Sequence, residues 1–127
     1  QYGFNLGIAF QLVDDYLDYG LPDIQLGKAV GDDFREGKIT LPVILSFRRG
    51  NMDQKSFWRR TLENLDQHEG DLDHARRLLV DHDALSDTQV RARGYAETAR
   101  AALDIFPQGP HRTALEEVVD FCVERSY

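Results

Sequence analysis

Gly7-Ile8-Ala9-Phe10-Gln11-Leu12-Val13-Asp14-Asp15-Tyr16-Leu17-Asp18-Tyr19-Gly20 is the stretch on which the reading of this chain turns. It continues an apolar run that opens with Tyr2, Phe4 and Leu6. These positions do not alternate in the two-residue period of a half-buried strand; they cover most of a helix circumference. A helix that is apolar nearly all round is expected at the centre of a bundle. Gly20 and Pro22 stop it, so the first helix is predicted over residues 1–19.

Its polar residues are not scattered. Gln11, Asp14, Asp15 and Asp18 stand at i, i+3, i+4 and i+7, which puts them on one narrow stripe. Like charges four apart cost about 0.2–0.5 kcal/mol per pair even in water. The acids also lie at the helix C-terminus, where the macrodipole favours cations by about 0.3–1 kcal/mol each. Something positive is therefore expected against them. Carboxylates without a neighbouring histidine or thiolate suit a hard cation such as Mg²⁺, which takes oxygen ligands and shares them with phosphates. An acidic helix end also reads as a solvated face, and the stripe alone leaves both readings open.

Working outward, residues 20–39 hold Gly20, Gly27, Gly31 and Gly37 among mixed charges, a long loop with room for one turn of helix. Loops beyond about 12–15 residues are uncommon unless functional or disordered. Thr40 and Pro42 read as N-cap and first-turn proline of a helix to Arg49. A helix over 53–67 turns Phe57, Trp58, Leu62 and Leu65 inward, and one after Gly70-Asp71 buries Leu72, Ala75, Leu78 and Leu79. Ser86 to Phe106 follows, facing the core through Val90, Tyr95, Ala99, Ala102, Leu103 and Phe106. Pro110 opens a last helix through Leu115, Val118, Val119, Cys122 and Val123. The fold class expected is all-α.

The 127 residues carry 15 Lys and Arg against 22 Asp and Glu, a net charge of −7, which argues against a nucleic-acid-binding surface. The excess is concentrated: between Asp14 and Lys38 there are seven acids and three bases. A single cysteine, Cys122, excludes an internal disulfide and a cysteine zinc site and fits a reducing, cytoplasmic compartment. The apolar stretch from Tyr2 to Val13 is too short to span a membrane.

Only three lysines occur, and two of them, Lys28 and Lys38, fall in the loop, in Gly27-Lys28-Ala29-Val30-Gly31-Asp32-Asp33 and Glu36-Gly37-Lys38. Glycine lets backbone approach a ligand, and lysine offers a compact charge to phosphate oxygens. Simple neutralisation of the acids by surface lysines is the plainer reading of either lysine alone. Acids and glycine-flanked lysines within 25 residues read better as a metal–diphosphate cradle.

Taken together, Gly7 to Tyr19, Gly27-Lys28 to Asp33, and Glu36-Gly37-Lys38-Ile39-Thr40-Leu41-Pro42 resemble the second aspartate-rich region of trans-isoprenyl diphosphate synthases. The long-chain branch, which makes octaprenyl or decaprenyl diphosphate, is nearest in style. The resemblance implies an isoprenoid-synthase-type helical bundle and condensation of isopentenyl diphosphate with an allylic diphosphate, with Mg²⁺ as cofactor. It implies Asp14 as the main Mg²⁺ ligand, Asp15 and Asp18 as supporting ligands, and Asp33 behind them, bonding metal-bound water. It further implies Gln11 facing the same cavity, and Lys28 and Lys38 holding diphosphate oxygens.

The family carries a first Asp-Asp-x-x-Asp on an earlier helix and is more than twice this length; only one such motif is present here, and the chain starts at Gln1. The whole of 1–127 is therefore expected to be a C-terminal portion: aspartate helix 1–19, active-site loop 20–39, bundle remainder 40–127. Such a piece is expected to be inactive or nearly so alone. The alternative is a small subunit or truncated homologue that pairs with a complete synthase. A terpene cyclase would show Asn and Ser among its second-motif ligands, unlike Asp14-Asp15-Tyr16-Leu17-Asp18. The family is dimeric, and Tyr2, Phe4, Ile8, Phe10 and Leu12 are expected to drive self-association as a homo-oligomer.

Other residues read as structure. His74, Asp81, His82 and Asp83 look like a solvated helix face, and Arg48-Arg49, Arg59-Arg60 and Arg76-Arg77 like surface pairs. Cys122 among valines reads as a buried thiol, and Phe57-Trp58 as core. Arg125 resembles a tail arginine of some family members that approaches the isopentenyl diphosphate site.

Overall fold

Among the described residues seven α-helices follow one another: α1 (Tyr2–Tyr19), α2 (Asp32–Glu36), α3 (Leu41–Arg49), α4 (Met52–Trp58), α5 (Asp71–Asp81), α6 (Ala84–Ala102) and α7 (Pro110–Glu124). A π-helical turn (Arg59–Glu63) extends α4, and a 3₁₀ turn (Leu103–Ile105) extends α6. The computed structural model describes residues 1–20 and 31–124, and among these no strand occurs. The expectation on Lys28, like that on Arg125, lies outside the described residues.

The chain divides into two compact units, one from Asp15 to Thr88, the other Gln1–Asp14 with the segment from Gln89 onward. The first has a core of large side chains, with Tyr19, Phe34, Trp58, Leu62, Leu78 and Leu79 at its centre. The second packs small ones: Ala9, Ala96, Ala99, Val119 and Cys122, with Tyr2, Leu6 and Val123 against them. There the Tyr2 hydroxyl donates to the Leu115 carbonyl at 2.9 Å.

Local chemistry explains the boundaries. Asn51 ends the turn after α3 and caps α4 reciprocally with Gln54, with bonds of 2.9 and 2.8 Å. Thr40 is the N-cap residue of α3, with Pro42 in the first turn, but its hydroxyl makes no capping bond.

Three sequence expectations need correction. The helix over 53–67 breaks early, because Thr61 Oγ1 bonds back to the carbonyls of Phe57 (2.8 Å) and Trp58 (3.4 Å) and the ladder widens into a π turn. Leu65 then adopts a left-handed backbone (φ 55°) and is exposed rather than inward. On α6, Val90 and Tyr95 are exposed, while Ala84, Thr88, Ala92, Ala96 and Ala99 are buried. Beyond α6, Phe106 is exposed and Leu103 buried, and on α7 Val118 is exposed while Val119 and Cys122 are buried. Close helix approach here selects the smallest side chains, which a search for large apolar residues overlooks. The third concerns α1, expected to be buried all round. It buries Ala9, Val13 and Tyr19, whereas Phe4 is 70% and Phe10 45% exposed.

Candidate active site: the aspartate helix and the turn it caps

The last two turns of α1 carry the acids. Asp15 and Asp18 are buried, at 6% and 1% exposure, and Asp14 one position earlier is half-buried; Gln11, a turn before that, is exposed. Two carboxyl side chains this far from water need partners. Part of the compensation is backbone: Asp18 Oδ2 accepts the Asp33 N–H at 2.9 Å, and the Asp18 carbonyl accepts the Gly31 N–H at 2.9 Å. Asp33 sits in the first turn of α2, whose N–H groups have no intrahelical acceptor. Gly31, the residue before α2, has no side chain to cap it. Asp18 therefore caps α2 from another helix, a charge-assisted bond that fixes α2 against the aspartate stripe.

The other end of α2 is closed as firmly. The Gly37 N–H bonds the Phe34 carbonyl and the Lys38 N–H bonds the Asp33 carbonyl, at 3.0 and 2.9 Å, a Schellman closure with Gly37 left-handed at φ 72°. A Cβ on Gly37 would stand 2.7 Å from the Leu62 carbonyl oxygen, so no other residue fits without backbone movement. Lys38 leaves this closure with an exposed side chain. Two of the loop glycines thus shape the turn that presents Asp33 and Lys38.

Two buried hydroxyls have no hydrogen-bond partner among the described residues: Tyr19 Oη, one residue after Asp18, and Thr40 Oγ1, two after Lys38. Burial first, then the negative charges of Asp18, Asp33 and Asp15, push the Tyr19 phenol well above its usual value. It stays a neutral O–H donor. Sequence reading counted Tyr19 only as apolar, and its one signal was the phenol directly after the motif.

Asp18 is joined to Asp33, whose carbonyl accepts the Lys38 N–H; Asp15 stands one turn before Asp18 on α1, with Asp14 beside it in sequence and Gln11 a turn earlier on the same helix. Among the described residues no three His, Cys, Asp or Glu side chains converge as a ready-made metal cage. Mg²⁺ takes oxygen donors from one or two carboxylates, waters and phosphate rather than an all-protein shell. All-oxygen donors, one of them on the half-buried Asp14, match that requirement. His74 and His82, expected on a solvated face, are half-buried: His74 packs edge-on against Phe57 (4.6 Å between rings), and His82 Nδ1 is hydrogen-bonded to Ser46 Oγ at 2.8 Å.

The described residues thus form an all-α chain in which an aspartate-ended helix is bonded to a capped turn that carries a lysine. The polyprenyl synthetase family model matches residues 1–79, and the chain belongs to that family. It is 39% identical over 126 residues to the octaprenyl diphosphate synthase of Haemophilus influenzae, covering 99% of this chain and 38% of the relative. The Escherichia coli octaprenyl diphosphate synthase is 38% identical over 128 residues. Among solved structures, a decaprenyl diphosphate synthase from Rhodobacter capsulatus superposes with a TM-score of 0.91 at 46% identity, over 99% of this chain and 39% of that one. A polyprenyl synthase from Caulobacter crescentus, complexed with calcium and isoprenyl diphosphate, gives 0.89 at 48% identity, over 99% and 38%. The chain spans about 38% of the length of the curated relatives it matches. None of its described helices is long and apolar enough to cross a membrane.

Proposed function

We propose that this chain supplies the second metal–diphosphate motif of a long-chain trans-polyprenyl diphosphate synthase, which condenses isopentenyl diphosphate with an allylic diphosphate. The observation that carries the reading is the Asp18–Asp33 bond, which ties the Asp14-Asp15-x-x-Asp18 helix to the turn bearing Lys38. In this reading Asp14, with Asp15 and Asp18 behind it, holds Mg²⁺, and Asp33 keeps Asp18 oriented. Gln11, Lys28 and Lys38 bind diphosphate oxygens. When bound, Mg²⁺ supplies electrostatic stabilisation of the departing diphosphate. Lys38 adds a second positive charge to the same oxygens, and no nucleophilic side chain is required.

With one Asp-Asp-x-x-Asp in its sequence, the chain alone is expected to bind diphosphate and not to turn it over. The reading extends to a cytoplasmic homo-oligomer, supported by the apolar surface that Phe4 and Phe10 leave exposed on α1. Calorimetric titration of inorganic diphosphate, with Mg²⁺ and with EDTA, tests the site. Mg²⁺-dependent binding that disappears in Asp14→Ala and weakens about tenfold or more in Lys38→Ala is expected. Binding indifferent to Mg²⁺, or unchanged in Asp14→Ala, overturns the reading. Prenyl transfer by the purified chain would overturn the expected inactivity alone.

A further inference from the structure

Away from the aspartates, in the same unit, a cavity of about 250 Å³ opens between α3 and the end of α4. Its wall is apolar: Ile39, Val43, Ile44, Phe47, Trp58 and Leu62. Val43, Trp58 and Leu62 are core residues at 3%, 2% and 4% exposure, so the floor is fixed, while Ile39 and Ile44 hold hydrocarbon in water at the mouth. The volume falls a little below the roughly 300–1,000 Å³ of sites for drug-sized molecules and suits one run of hydrocarbon chain.

Charge around the mouth runs against the rest of the chain. The protein carries −7 overall, and several arginines elsewhere find carboxylates: Arg35 with Asp32, Arg49 with Asp87, Arg60 with Asp71, Arg112 with Asp104. Arg48 and Arg59, both lining the cavity, have no such partner among the described residues, nor has Lys55 beside them. Arg59 and Lys55 instead lie over the Phe47 ring, 5.3 and 5.5 Å from its centre. Glu63 is the one acid on the wall. In an acid-rich chain, leaving three cations unpaired round one apolar opening is a built charge pattern.

The π turn adds a third observation. Residues Arg59–Glu63 hydrogen-bond five apart, as in Asn64 N–H to the Arg59 carbonyl at 3.0 Å, and this wider turn brings Trp58, Leu62 and Glu63 into line on the cavity wall. Such turns are rare and frequent at functional sites. The Trp58 indole N–H is also buried without an acceptor among the described residues.

We propose that this cavity binds a single-chain anionic amphiphile, with its hydrocarbon in the Ile39–Ile44–Trp58–Leu62 pocket and its anionic head between Arg48 and Arg59. The proposal stands independently of the aspartate site.

Trp58 is the only tryptophan, so its fluorescence reports the cavity directly. Decyl phosphate, kept below its micelle concentration, is expected to give a saturable shift of Trp58 emission. Decyltrimethylammonium at the same concentrations should bind at least tenfold more weakly, and inorganic phosphate should not move the signal. The double variant Arg48→Ala/Arg59→Ala, at exposed positions, should lose at least tenfold in decyl phosphate affinity with its thermal unfolding unchanged. Ile44→Asp should abolish the shift. Equal affinity for the two head groups, or an unchanged double variant, overturns the proposal. Co-sedimentation with phosphatidylglycerol vesicles without any response of Trp58 to monomeric decyl phosphate would also overturn it, in favour of a membrane-facing patch.

Discussion

The two units of this chain are both helical and both well buried at their centres, yet they reach that state by opposite means. The unit from Asp15 to Thr88 fills its core with Tyr19, Phe34, Phe57, Trp58 and five leucines or valines. The other builds its core on Ala9, Ala96, Ala99, Val119 and Cys122. Large side chains leave shaped interstices, and the Asp18-capped turn and the cation-ringed cavity both fall in the first unit. The alanine-based unit has a recess as well, about 400 Å³ lined by Asn5, Arg91, Gly94, Tyr95 and Thr98, but none of these belongs to its apolar core. The contrast teaches that side-chain volume, rather than helix content, decides whether a recess is walled by the core itself.

The sharpest way to break the comparison is to shrink the first core. Leu79 is fully buried, and Leu79→Ala should cost about 2–5 kcal/mol, the lost transfer energy plus an unfilled cavity. Urea unfolding followed at Trp58 measures it. A loss below the range for an exposed residue would mean that the large-residue core is loose and that the contrast fails. The reverse substitution probes the second core. Ala96 is 0% exposed, and Ala96→Leu should destabilise by about 1–3 kcal/mol through overpacking. Circular-dichroism melts that show no change would reveal spare volume where close approach is inferred.

These cores also explain what was legible in the sequence. In α3, α4 and α5 the inward residues are large, so periodicity marks them, and Phe57, Trp58, Leu62, Leu78 and Leu79 are buried as expected. In α6 the eye follows Val90 and Tyr95, whereas the buried line is Ala92, Ala96 and Ala99, because alanine carries little hydrophobic signal. The π turn was illegible for a different reason: it depends on Thr61 bonding back to Phe57, a contact that no periodicity encodes. At the site, the spacing of Asp14, Asp15 and Asp18 showed that the acids share a helix face. It could not show that Asp18 caps α2, since that bond spans 15 residues.

A smaller effect separates structure from ligand binding within that stripe. Asp18→Ala removes the cap of α2, and loss of a capping side chain costs about 0.5–2 kcal/mol. Asp14→Ala touches no capping bond shown for α2 and should cost less unliganded stability than Asp18→Ala. Thermal unfolding in EDTA compares the two. Equal losses would erase the distinction between an acid that holds the turn and one that faces the ligand.

The smallest effect concerns the lock that closes the π turn onto α5. Arg60 donates to both Asp71 oxygens, at 3.0 and 3.2 Å, and the His68 N–H donates to Asp71 Oδ2 at 2.7 Å. The Arg60 bonds, opposed by burial and helped by the His68 N–H, hold the Asp71 carboxyl below its ordinary value of 3.8. A depressed folded-state value means that the contribution is complete above 3.8 and disappears as pH falls through the lower, folded-state value. The lock is partly open to water, so screening keeps its worth small. Urea midpoints from pH 5 to pH 2 should therefore fall more steeply for the native chain than for Asp71→Asn, which cannot lose a charge it does not carry. Added salt should narrow that difference. Parallel curves would show that Asp71 holds α5 through its hydrogen bonds alone, with charge contributing nothing to the turn that shapes the cavity.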